Sequence, residues 1–157
     1  MIASMAESGL QIQSTLDGNG TLRIALADVP VAEPGQGQVI VRVEAAPINP
    51  SDIMPMLAGG DPAQARFGGS PERPEVELTL PPAAAQANAG RVGHPLAIGL
   101  EGAGAVVAAG SGSESLLGKR VAFLSLGTGS LGQYCMVSAT DCMPLPDDVT
   151  CAEGAAT

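Results

Sequence analysis

Aromatic side chains are almost missing from this chain of 157 residues, which has no Trp, one Tyr (Tyr134) and two Phe (Phe67 and Phe123). It therefore lacks the stacking platform that unpaired bases require. Basic residues are scarce too. Seven Lys and Arg against sixteen Asp and Glu leave a net charge of −9, which repels phosphate backbones and anionic bilayers and argues against nucleic acid or a membrane surface as partner. No apolar run approaches the roughly 18 residues of a membrane span. The opening MIASMAESG has neither the basic start nor the apolar stretch of a secretion signal and reads as a frayed terminus. Three Cys, an odd number with no CxxC pair, give no disulfide framework, and the reading is a reduced, cytoplasmic setting.

Glycine and proline are abundant, 21 and 13 residues among many aliphatic ones, so the chain is rich in turns yet able to bury a core. Strand periodicity is clearest from Val39 to Val43, where Val39, Val41 and Val43 alternate with Ile40 and Arg42. Other short strands are expected at Leu10 to Ser14, Thr21 to Leu26, Gly104 to Ala109, Arg120 to Leu126 and Gln133 to Ser138. Many short strands with close turns predict a barrel-like β domain.

Between 58 and 93 the period is lost, and GGDPAQARFGGSPERP, ELTLPP and AAAQANA follow one another. This stretch reads as an insertion loop of little order with one short helix in AAAQANA. Near the other end Thr150 and Glu153 form a capping box that starts a helix. Too few residues follow to hold a helix without packing, so residues 150–157 read as the start of a longer helix and the chain as a piece of a larger polypeptide.

GTGSLG at 127–132 satisfies GxGxxG literally, but QYCMVS after it reads as a strand, and a phosphate site needs a helix N-terminus there. The expected role is a turn between strands. His94 lies alone in a GHP loop, and Cys135, Cys142 and Cys151 have no metal-ligand spacing, so free buried or half-buried thiols are expected. Asn49, Pro50, Ser51 and Asp52 form a turn in which Ser51 or Asp52 is expected to cap a short helix through Met54 and Leu57.

The segments VRVEAAPINPSD (41–52) and GLEGAGAVVAAG (99–110), with CAEGAAT at 151–157, resemble the catalytic domain of medium-chain dehydrogenase/reductases, in the zinc-free quinone oxidoreductase branch. Asn49 stands where zinc-dependent relatives carry a Cys ligand, and Leu100 where they carry a His, before the retained Glu101. The resemblance runs from about Leu22 through Thr157, outside the insertion. It implies a mainly β fold, a GroES-like partly open β barrel with short helices over 1–157, whose last helix leads to a nucleotide-binding Rossmann domain that this sequence does not include.

The implied reaction is hydride transfer from NADPH, bound mainly by that other domain, to a quinone or an α,β-unsaturated carbonyl, with no metal. The chain alone is expected to be inactive, and a homodimer formed through the full-length parent is allowed. Asn49 and Asp52 become catalytic candidates, Asn49 and Thr157 cofactor contacts, and Glu101 part of the cleft wall. Two other readings stay open: a stand-alone GroES-like module that binds a protein, and a zinc alcohol dehydrogenase-like domain with displaced ligands.

Overall fold

The computed structural model describes residues 7–156. In chain order the elements are β1 (Ser8–Leu16), β2 (Thr21–Pro30), β3 (Gln38–Ala45), α1 (Pro50–Leu57), β4 (Arg66–Gly69) and β5 (Pro74–Thr79). They are followed by α2 (Pro82–Ala87), β6 (Leu96–Ala97), β7 (Glu101–Ala109), β8 (Arg120–Leu124), β9 (Tyr134–Ser138), β10 (Cys142–Pro144) and α3 (Cys151–Ala155). The strands form two antiparallel sheets, ordered β4-β5-β2-β1-β6 and β10-β8-β7-β3-β9. This is the GroES-like, partly open barrel that the sequence led us to expect.

Local chemistry explains the hairpin that starts the first sheet. Asp17 Oδ1 accepts the backbone N–H groups of Asn19 and Thr21, and Gly20 takes the left-handed φ of 81° that closes the turn. The Thr21 N–H above all holds the Asp17 carboxyl below the usual carboxylate range. Leu16 and Leu22 then face each other across the strands and enter one core cluster with Ala58, Leu78 and Leu80. The second sheet buries Val39, Val41, Val106, Val121, Phe123, Cys135 and Val137. Each such aliphatic side chain contributes about 1.5–3 kcal/mol on burial. A third cluster of Ala103, Cys151 and Ala155 seats α3 on β7, and the Thr150–Glu153 capping box is formed at its start.

Three departures from the sequence reading have physical causes. The 58–93 stretch is not structureless: β4 and β5 lengthen the first sheet, with β5 pairing with β2 from Thr21 to Ala25, and α2 starts at Pro82 and takes in the first five residues of AAAQANA. Leu78 and Leu80 point into the core while Glu77 and Thr79 are exposed, so a period of two is present, but it is only a few residues long and flanked by prolines. Ser8 and Gly9, expected in the frayed terminus, pair with Pro30 and Val29; residues 1–6 lie outside the described ones. Ile40, which blurs the alternation of β3, is buried at 1% exposure like its neighbours. Among the described residues no helix is long and apolar enough to cross a membrane.

All three cysteines are free, Cys135 and Cys151 buried and Cys142 half-buried. Burial, aided by the neighbouring Asp141 charge, pushes the Cys142 thiol from 9.0 up to about 11, which lowers its thiolate fraction near neutral pH about a hundredfold. Iodoacetamide at pH 8 is therefore expected to alkylate Cys142 in the folded chain about a hundredfold more slowly than in the urea-unfolded chain. Equal rates in the two states would contradict this.

Candidate functional site

The site begins where β3 gives way to α1. Pro50 occupies the first helical position, where its missing N–H costs nothing and its fixed φ suits the helix. The cap is therefore Asn49, in extended conformation at φ −104° and ψ 159°, and not Ser51 or Asp52 as the sequence reading had it. Asp52 is instead the third helical residue, and its Oδ2 accepts the Asn49 backbone N–H at 2.8 Å. That contact satisfies an amide that the helix cannot. Ser51 is exposed.

The Asn49 side chain turns the other way. Its Nδ2 donates to Oε1 of Glu101, the first residue of β7. Sequence reasoning placed Glu101 in the cleft wall without a partner, and the structure makes it the acceptor that orients Asn49. One signal was available: by the resemblance, Asn49 and Leu100, the residue before Glu101, stand where zinc-dependent relatives carry two ligands of one metal, which implies that the two segments converge. Ile48, Leu100 and Leu124, respectively 68%, 42% and 51% exposed, give the surroundings of this pair an apolar surface. Leu124 faces Glu101 across β7 and β8.

Beneath Leu100 the backbone is fixed by the Gly-rich turn. Ser130 N–H donates to Gly99 O, Leu131 N–H to Ile98 O and Ser125 N–H to Leu100 O. Gln11 Nε2 donates to Thr128 O at 2.7 Å, and Thr128 Oγ1 to Met136 O at 2.8 Å. GTGSLG thus connects β8 to β9, and a strand follows it. It is a structural turn and presents no helix N-terminus to a phosphate.

Two cavities flank the pair. One of about 200 Å³ is lined by Asp52, Pro55, Ile98, Gly99, Leu100 and Gly127, among others. The other, of about 320 Å³, is lined by Glu101, Phe123, Leu124, Asp141, Cys142 and Gly154, among others. Asp52 is 2% exposed, and its Oδ1 has no hydrogen-bond partner among the described residues. Thr157, the third sequence candidate, lies outside the described residues.

A zinc site needs three protein ligands converging on one point. Asn49 and Leu100, which the resemblance implies stand at two ligand positions of zinc-dependent relatives, supply an amide and an alkyl group, and Glu101 is engaged by Asn49. His94 is exposed, and among the described residues no group of three His, Cys, Asp or Glu is placed to hold a metal. These residues do not fit zinc. Metal analysis of the chain purified without chelator is expected to find far less than one zinc per molecule, and one per molecule would refute this.

Residues 35–147 match the alcohol dehydrogenase GroES-like domain. The chain belongs to that family. A zinc-type alcohol dehydrogenase-like protein of Schizosaccharomyces pombe is 28% identical to this GroES-like domain over 143 residues, which cover 87% of the chain and 34% of that protein. Among solved structures, a candidate NADPH:quinone reductase from Bacillus thuringiensis is 27% identical with a TM-score of 0.63, covering 96% of this chain and 37% of that one. A mycobacterial protein in complex with NADPH is 25% identical with a TM-score of 0.55, covering 92% and 34%. The quinone oxidoreductase of Coxiella burnetii shares the fold, with a TM-score of 0.67 at 17% identity over 96% of this chain and 41% of that one. The GroES-like domain thus falls in the medium-chain dehydrogenase/reductase superfamily and spans about a third of the length of its curated relative.

Proposed function

We propose that this GroES-like domain forms one wall of the active cleft of a zinc-independent, NADPH-dependent oxidoreductase that reduces a quinone or an α,β-unsaturated carbonyl. The observation that carries this reading is the hydrogen bond from Asn49 to Glu101 at the place where a metal-dependent relative needs ligands. Amide and alkyl side chains do not replace thiolate and imidazole as zinc ligands. Polarisation of a substrate carbonyl then falls to hydrogen-bond donors.

An Asn amide has two N–H donors. One is spent on Glu101, which fixes the plane of the amide and leaves the second to meet a substrate or cofactor oxygen. Asp52 holds the backbone of the same residue. When bound, NADPH supplies the hydride. The residues of this chain fit its nicotinamide end and not its phosphates, because GTGSLG runs into β9 and the α3 N-terminus is already capped by Thr150 and Glu153. NADPH would therefore be held mainly by a second domain, with Thr157 as a further contact near the nicotinamide.

Calorimetric titration tests the division of labour: the 157-residue chain should show no micromolar affinity for NADPH. Joined to a nucleotide-binding domain, it should oxidise NADPH when given 1,4-benzoquinone, with no change on adding a zinc chelator. Micromolar binding by the chain alone, or zinc-dependent alcohol oxidation by the longer polypeptide, would overturn the reading.

A further inference from the structure

Helix α1 carries the site but has little of its own to hold it. Its eight residues fall well short of the roughly 12–15 that an isolated helix needs. Pro55 in its interior has no N–H to give to the preceding turn, and its last turn contains no basic residue. Asp52 is its sole buried residue. Ala58, which ends it, takes the left-handed φ of 50° that a residue with a Cβ disfavours.

The helix is held by its two ends. The N-terminal end is the Asn49, Asp52 and Glu101 arrangement. At the C-terminal end three carbonyls accept from side chains outside the helix. Ser14 Oγ donates to Met56 O at 2.8 Å, Arg91 Nη1 to Pro55 O at 2.9 Å and Asn88 Nδ2 to Ala58 O at 3.1 Å. Arg91 Nη2 also donates to Ser14 Oγ at 3.1 Å, so strand β1, the helix end and the inserted segment share one network. Arg91 places at this helix end the positive charge that the helix dipole favours and that α1 itself lacks.

We infer that the 58–93 segment is the buttress of the site helix, and that Arg91 is a positioning residue that sets where Asn49 meets Glu101. The geometric claim stands on these contacts alone; its consequence for turnover rests on the proposed function.

The test is nuclear magnetic resonance on the 157-residue chain and its Arg91→Ala, Arg91→Lys and Asn88→Ala variants. The side-chain amide signals of Asn49 report its bond to Glu101, and backbone hydrogen exchange reports α1. Arg91→Ala is expected to move the Asn49 amide signals toward those of a free amide and to speed exchange in α1 by about tenfold or more, with β7 and β8 unchanged. Arg91→Lys, which keeps the charge on a single donor head, should restore part of both. Faster exchange in α1 with unmoved Asn49 signals would make Arg91 a stabiliser only and overturn the positioning claim. No change in either would overturn the buttress as well. Should Arg91→Ala fail to fold, Asn88→Ala decides by the same two signals. Wild-type turnover in Asn49→Ala of the longer polypeptide would count against the proposed function and leave the buttress standing.

Discussion

Gly99→Ala is expected to destabilise the chain by about 3 kcal/mol, combining backbone strain with overpacking. Gly99 has φ +103°, and a Cβ there would lie 2.3 Å from Ser130 Oγ and 2.6 Å from Leu131 N. The second of these is backbone, which cannot swing aside. Relief requires parting the 96–101 segment from the 127–132 turn, where Ser130 and Leu131 donate to Gly99 and Ile98. Gly112→Ala is the control, because Gly112 also has positive φ, +84°, but faces open space; its cost should stay near 1 kcal/mol. Urea denaturation of both variants measures the difference. Equal midpoints for the two would show that the packing beneath Leu100 is looser than described.

In the longer polypeptide, Asn49→Ala is expected to lower turnover several-fold while leaving the melting temperature nearly unchanged. The hydrogen bond proposed to orient substrate or cofactor is worth about 0.5–1.5 kcal/mol, which enters the rate directly if it acts in the transition state. Glu101, left without its donor, is only half-buried and can take a water instead. Asp52→Ala should act on stability, at about 1 kcal/mol, because its carboxylate accepts the Asn49 backbone N–H. Loss of the Oδ1 oxygen, which has no partner among the described residues, partly offsets this, since a buried unsatisfied acceptor is itself costly. Steady-state kinetics and thermal melts on both variants separate the roles. Unchanged turnover with a lowered melt in Asn49→Ala, together with lost activity and an unchanged melt in Asp52→Ala, would exchange the two assignments.

The barrel was legible to the extent that its strands are long enough to show a period. Val39 to Val43 lies within β3 and Gly104 to Ala109 within β7. β6 and β10 have two and three residues, which is too short for any pattern; they are strands because β1 and β8 offer them a ladder. The helix start at 50 was legible as a turn but placed on the wrong cap, because Pro50 moves the boundary back onto Asn49. GTGSLG was legible as a turn because the residues after it alternate as a strand.

By itself the sequence determined the acidic balance of charge, the strand-rich class and the capping box at Thr150, because each is a property of residue type or of neighbours a few positions apart. Only the tertiary structure decided that Asn49 donates to Glu101, 52 residues away, and that Arg91 grips the far end of the same helix, 36 residues from Pro55. Such contacts depend on how two sheets and the 58–93 segment pack around an eight-residue helix, and which side chains meet across that separation is not written in any local period of the chain.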